Sequence, residues 1–146
     1  MRPPYLKSSR EAEALKWILQ ATVDRAKKLD LRGLHLTTLP PELGQCTALQ
    51  TLYLDNNQLM SLPPELGQCA ALQQLYLENN RLTTLPPELR QITRLKEIFL
   101  HGNPRLTLPE DILGPSWEDV YQRQATPKPP RDILAYYFRT RRAAQP

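Results

Sequence analysis

Leucines recur along this chain in an alternation of spacings that itself repeats every 23 residues. Leu49, Leu72 and Leu95 share one phase, Leu52, Leu75 and Ile98 the next, and Leu54, Leu77 and Leu100 a third. Asn57, Asn80 and Asn103 follow in register, so the unit reads LxxLxLxxNxL. Period two across Leu52-Tyr53-Leu54 predicts a short strand with its leucines inward and Tyr53 outward. The same register continues through Leu39, Leu62, Leu85 and Leu108, each followed by proline at Pro40, Pro63, Pro86 and Pro109. The other half of the unit reads Leu-Pro-Pro-Glu-Leu-Gly-Gln-Cys, as at 39–46 and 62–69. Its second proline suits the first position of a short helical or 3₁₀ segment, with Leu43, Leu66, Leu89 and Ile112 as anchors to the core. No unit can bury its leucines alone, so units must stack into one continuous core. The expected fold is α/β, a short solenoid with about four parallel strands on a concave face and helical or 3₁₀ segments on the convex side. Asparagine at the strand exit predicts a buried amide that pairs turn backbone, a structural duty. The end units depart from the pattern, with Leu34 in the asparagine slot of the first and Arg105 in the last where Leu59 and Leu82 stand.

Hydrophobic patterning also predicts caps, dividing the chain into 1–28, 29–113 and 114–146. Ser8 and Glu11 have capping-box spacing, and Leu15, Ile18, Leu19, Thr22 and Ala26 fall on one helical face. Such a helix would cover the first strand near 29–31, whose open edge otherwise invites aggregation. After the repeats, Ser116 with Asp119 starts a short helix carrying Trp117, Val120 and Tyr121 on one side. Thr126-Pro127-Lys128-Pro129-Pro130 breaks the chain, and a last helix from near Arg131 has Ile133, Leu134, Tyr137 and Phe138 as its apolar face.

Composition narrows the setting. The 146 residues are one domain's length, and eight of the fifteen prolines sit within the repeat turns rather than in a disordered tract. No apolar run is long enough for a membrane span and no export signal follows Met1, so a cytoplasmic bacterial protein is expected. Charge divides as +4 over 1–28, −3 over 29–113 and +3 over 114–146, an acidic body between basic flanks. Cys46 and Cys69 share one slot in adjacent repeats, which Ile92 fills in the next. They read first as buried apolar thiols; a disulfide between rungs is conceivable, and two cysteines without clustered histidines make a poor metal site.

Outward-facing strand positions give the candidate site. One ladder is Asp30, Tyr53, Tyr76, Phe99; a second is Lys28, Thr51, Gln74, Glu97; a third is Arg32, Asp55, Glu78, His101. Aromatic area flanked by acids suits a basic or amphipathic protein segment. An equally simple reading has the aromatics stacking only as cross-strand neighbours. Four strands at ~4.8 Å spacing span about 15 Å, too little for a standard interface of roughly 800 Å² per partner, so unaided binding should be weak. Arg139, Arg141 and Arg142 are too small a basic cluster to argue for nucleic acid. His35 and His101 stand apart, no phosphate loop, nucleophile elbow or HExxH motif occurs, and neither catalysis nor a cofactor is expected.

The motif and its spacing resemble leucine-rich repeat proteins, in particular the bacterial type with LPPELGQ turns. The helix running into Leu29-Asp30-Leu31, the closing Gly102-Asn103-Pro104 and the helix containing Ile133-Leu134-Ala135-Tyr136-Tyr137-Phe138 resemble the repeat domain and linker of bacterial Roco proteins. In those proteins the repeats precede a Ras-like GTPase domain, and no nucleotide site carries over to the residues here. The resemblance implies a non-catalytic protein-binding module, standing alone or serving a longer chain. A self-associating module is the other expectation, because the Ile133 to Phe138 helix lies behind a proline-rich hinge that would permit exchange between chains.

Overall fold

A computed structural model of the chain describes residues 9–143. Four three-residue strands, β1 (Lys28–Asp30), β2 (Thr51–Tyr53), β3 (Gln74–Tyr76) and β4 (Glu97–Phe99), form one parallel sheet in chain order. The register is 23 residues throughout, with Leu29, Leu52, Leu75 and Ile98 side by side. These four and Leu31, Leu54, Leu77 and Leu100 point inward and are buried, as the alternation predicts. Opposite them, 3₁₀ segments Pro41–Gln45, Pro64–Gln68 and Pro87–Gln91 start at the second proline of each pair. Proline fits because its fixed φ is already helical and its missing N–H would have no partner at that position. Leu43, Leu66 and Leu89 from these segments complete the core. The fourth unit ends differently: its anchor Ile112 sits half-buried in a one-turn helix, α2 (Glu110–Leu113).

Asparagine at the strand exits is structural, as expected. Asn57 Oδ1 accepts from the N–H groups of Leu34 and Leu36 at 3.1 and 3.0 Å, and its Nδ2 donates to the carbonyls of Leu31 and Leu54 at 2.8 and 3.0 Å. Asn80 and Asn103 repeat the arrangement one and two rungs on. Each amide therefore pairs backbone from two successive rungs and locks the stack.

Close approach of the convex turns explains a second constant position. A Cβ on Gly44 would lie 2.6 Å from the Glu65 carbonyl, and one on Gly67 2.7 Å from that of Glu88. The in-phase residue of the next turn is Arg90, where no further turn stacks and the guanidinium lies over the Phe138 ring at 4.5 Å. Cys46 and Cys69 are buried and unbridged, and each thiol points at a carbonyl of the preceding layer, Ile18 at 3.6 Å and Leu43 at 3.3 Å. Burial raises the Cys69 thiol to about 12, so it stays protonated.

The caps differ from the sequence-based reading in detail. Helix α1 (Ser9–Val23) covers the β1 end as predicted, and Ser8 lies outside the described residues. The buried face is Glu11, Ala14, Ile18 and Ala21 rather than the one drawn through Leu19, which is exposed. Small alanines let the helix approach the first turn, and Glu11 reaches across to accept from the hydroxyls of Thr37 and Thr38 at 2.6 and 3.2 Å. Its carboxylate thus ties cap to repeat. At the other end Arg105 is exposed and its neighbour Leu106 takes the core position, through the extra 3₁₀ turn Pro104–Leu106. Helix α3 (Trp117–Arg123) starts at Ser116 as expected, and Ser116 and Asp119 close a capping box there. Helix α4 (Pro130–Ala143) buries Ile133, Leu134 and Tyr137, and the Tyr137 hydroxyl accepts from the Leu85 N–H at 3.0 Å. No described helix is long and apolar enough to cross a membrane.

Candidate partner-binding face

Strand pleating places Tyr53, Tyr76 and Phe99 on the concave surface, where they stack with ring centroids 4.8 and 5.2 Å apart. Half of this ladder is not open. The chain leaving the repeats turns at Gly114 and lays α3 across β3 and β4, leaving Phe99 1% and Tyr76 6% exposed. The Tyr121 hydroxyl donates to Glu97 at 2.6 Å and accepts from Gln74 at 2.6 Å and Tyr76 at 3.2 Å. Gln74 in turn donates to Glu97 and accepts from Thr51, so Thr51, Gln74 and Glu97 of the second ladder form a continuous hydrogen-bonded row. His101 Nε2 meets the Gly114 carbonyl at 2.9 Å, which requires the proton on Nε2 and makes His101 an anchor for the turn. The expectation of an uncovered ladder is corrected for Tyr76, Glu78 and Phe99, because α3 covers them.

The third ladder departs furthest from a simple surface. Asp30 and Arg32 form an ion pair at 2.7 Å, and the Arg32 guanidinium also stacks over Tyr53. The guanidinium holds the Asp30 carboxyl below its ordinary range. Asp55 Oδ1 is buried without a partner, and burial raises this carboxyl. Glu78, which the alternation places among the outward-facing positions, is 4% exposed and neither of its carboxylate oxygens has a well-aligned partner. Burial drives it up to about 7, opposed in part by the backbone of Glu78 and Trp117 and reinforced by Asp55. Its stability contribution is fully present below the unfolded value near 4.5 and is lost as pH rises through about 7. Glu78→Gln should therefore flatten the fall in stability between pH 5 and 8, a difference on the order of 2 kcal/mol after allowing for solvent screening. Urea unfolding at the two pH values measures it.

What remains open is a cleft of about 400 Å³ between the β1–β2 half of the sheet and the flank of α3. Tyr53, Tyr76, Trp117 and Tyr121 supply its aromatic walls, with Asp55 and Gln74 as polar groups. Trp117 and Tyr121 were legible as one side of a short helix but not as part of this cleft, since no local pattern tells a helix which distant surface it will meet. At α4, Arg141 lies over the Tyr137 ring and points at the carbonyls of Thr83 and Leu106, so this arginine is engaged in holding the cap.

Parallel rungs in strict register, asparagine-paired turns and a concave sheet define a repeat solenoid. The chain belongs to the leucine rich repeat family, whose family model matches residues 24–82 and 47–104. A solved leucine-rich repeat protein of Leptospira interrogans is similar at 46% identity and a TM-score of 0.52, over 53% of this chain and 20% of that one. The chain thus spans about a fifth of that protein's length. No curated protein is matched by the chain. Repeats of this family are generally non-catalytic modules for protein–protein interaction.

Proposed function

We propose that the chain is a recognition module that binds a protein or peptide segment on its concave face, centred on Tyr53, Asp55 and the cleft beside α3. The carrying observation is that cleft, in which four aromatic side chains converge beside a carboxylate oxygen that is buried without a partner. Aromatic walls offer contact area at small entropic cost, and the acids steer a basic segment. Lys28, Asp30, Arg32 and Thr51 border the open half, while Gln74, Glu97, Phe99 and His101 act through α3. Capture from host lysate by the intact chain and by a Tyr53→Ala, Asp55→Lys variant of matching circular dichroism tests the site. The variant should lose at least tenfold in affinity, about 1.4 kcal/mol; an identified partner held equally by both chains would show that it binds elsewhere.

The two buried, unbridged thiols are at home in a reducing compartment, in keeping with a cytoplasmic setting. The likeness to bacterial Roco repeats supports a recognition segment serving a larger GTPase, and the concave-face reading is the same in either context. Self-association has its own observation: the apolar face of α4 docks from behind a proline-rich segment and could be exchanged. Light scattering that gives a monomer mass at all concentrations would remove that second reading.

A further inference from the structure

We propose that α3 is an intramolecular placeholder on the concave face, and that the partner to which it yields is a segment pairing an aromatic residue with lysine or arginine. This rests on the concave face being the recognition surface: the open cleft beside α3 receives the segment first, and the segment then takes the place of α3, its own aromatic residue replacing Trp117 and Tyr121. Helix α3 is seven residues long with no buried residue of its own, and Trp117 and Tyr121 remain 41% and 50% exposed. What it covers is sealed: Phe99, Tyr76 and Glu78 are all nearly inaccessible. It is joined by Gly114-Pro115 on one side and by residues 124–129 on the other, so it can lift while α4 stays docked through Ile133, Leu134 and Tyr137.

The fit is good in one place and poor in another. At the second ladder the Tyr121 hydroxyl satisfies Gln74, Tyr76 and Glu97 together, so an aromatic hydroxyl suits that position. At the third ladder α3 offers no cation to the two acids. Glu118 and Asp119 fill its first turn, next to Trp117, whose backbone adjoins Glu78. The cation carried by α3, Arg123, is spent on Asp119 at 2.9 Å, and Arg32 is spent on Asp30 at 2.7 Å. Glu78, more than nine-tenths buried, and Asp55 Oδ1 are left without well-aligned donors. A tethered segment competes at an effective concentration of order mM, so a partner must add an interaction that α3 lacks. A lysine or arginine against Asp55 and Glu78 adds charge-assisted hydrogen bonds there.

Two synthetic peptides test this, one of residues 115–125 and one with Glu118→Lys and Asp119→Lys, each titrated into ¹⁵N-labelled full chain at physiological ionic strength. The basic peptide should bind at least tenfold more tightly than the native one, shift the amides of Tyr53, Asp55 and Glu78, and narrow the signals of 117–123 as α3 detaches. A full chain carrying Trp117→Ala and Tyr121→Ala, with its own α3 released, should bind both peptides about tenfold more tightly than wild type does. Equal binding of the two peptides, or binding of the basic one with 117–123 still docked, would overturn the placeholder and leave the concave-face reading standing. If neither peptide binds even the Trp117→Ala, Tyr121→Ala chain, the concave-face reading falls with it.

Discussion

Asn57→Ala will destabilise the chain by about 4 kcal/mol, because the N–H groups of Leu34 and Leu36 and the carbonyl of Leu31 lose their partner between two packed rungs. The Leu36 N–H and the Leu31 carbonyl belong to residues with no exposed surface, while the Leu54 carbonyl keeps the Asn80 amide at 3.0 Å. A lone unpaired group at such a site costs roughly 1 to 3 kcal/mol, and alanine adds a void. Domains of this kind hold only about 5 to 15 kcal/mol in all, so a sizeable fraction of stability goes with one side chain. Gln58→Ala next to it removes a half-exposed side chain whose amide meets His35 at 3.4 Å, and should change stability by less than about 0.5 kcal/mol. Urea titrations of the two variants, with unchanged denaturant slopes, give the comparison directly.

Gly67→Ala should cost about 3 kcal/mol, although it adds a methyl group to a residue type that ordinarily gains from the exchange. The new Cβ would lie 2.7 Å from the Glu88 carbonyl oxygen and 2.8 Å from the Glu88 Cβ, so two stacked turns must separate. Arg90→Ala at the equivalent position one repeat later meets no turn and gives up the stack on Phe138, worth about 0.5 to 1 kcal/mol. The same substitution period thus yields unlike results, and thermal melts of the pair decide it. If Gly67→Ala melted with the wild type, turn stacking would not be what holds this slot to glycine.

Legibility in the sequence followed the range of the interactions. Strands, inward leucines, asparagine amides and proline-started turns each depend on residues within a repeat or on the equivalent residue one repeat away, so a 23-residue period carries them. The helix start at Ser116 and the apolar face of α4 are shorter still, and both appear as expected. Glu11 does more than its local spacing states, since its carboxylate also reaches Thr37, 26 residues on, a contact that no local pattern gives. The candidate site was the hardest part. Tyr53 and Asp55 border an open cleft, but Tyr76, Glu78 and Phe99 are covered through α3, and nothing in the seven residues of α3 states where they dock. A helix with Trp117 and Tyr121 one turn apart and little other apolar surface was the available sign that it needed a surface elsewhere.

The same separation of ranges orders events during synthesis. Rung-to-rung bonds join residues 21 to 28 positions apart, whereas Tyr121 meets Gln74 across 47 and Tyr137 meets Leu85 across 52. A chain made from its N-terminus completes each rung against the last, and β4 is in place before α3 has emerged. At about 5 to 20 residues per second, the interval between β4 and α3 is roughly 1 to 5 s. For that time the nascent chain displays the whole aromatic ladder with no competing helix, so a ribosome-bound chain is the form in which this face is first offered to its surroundings.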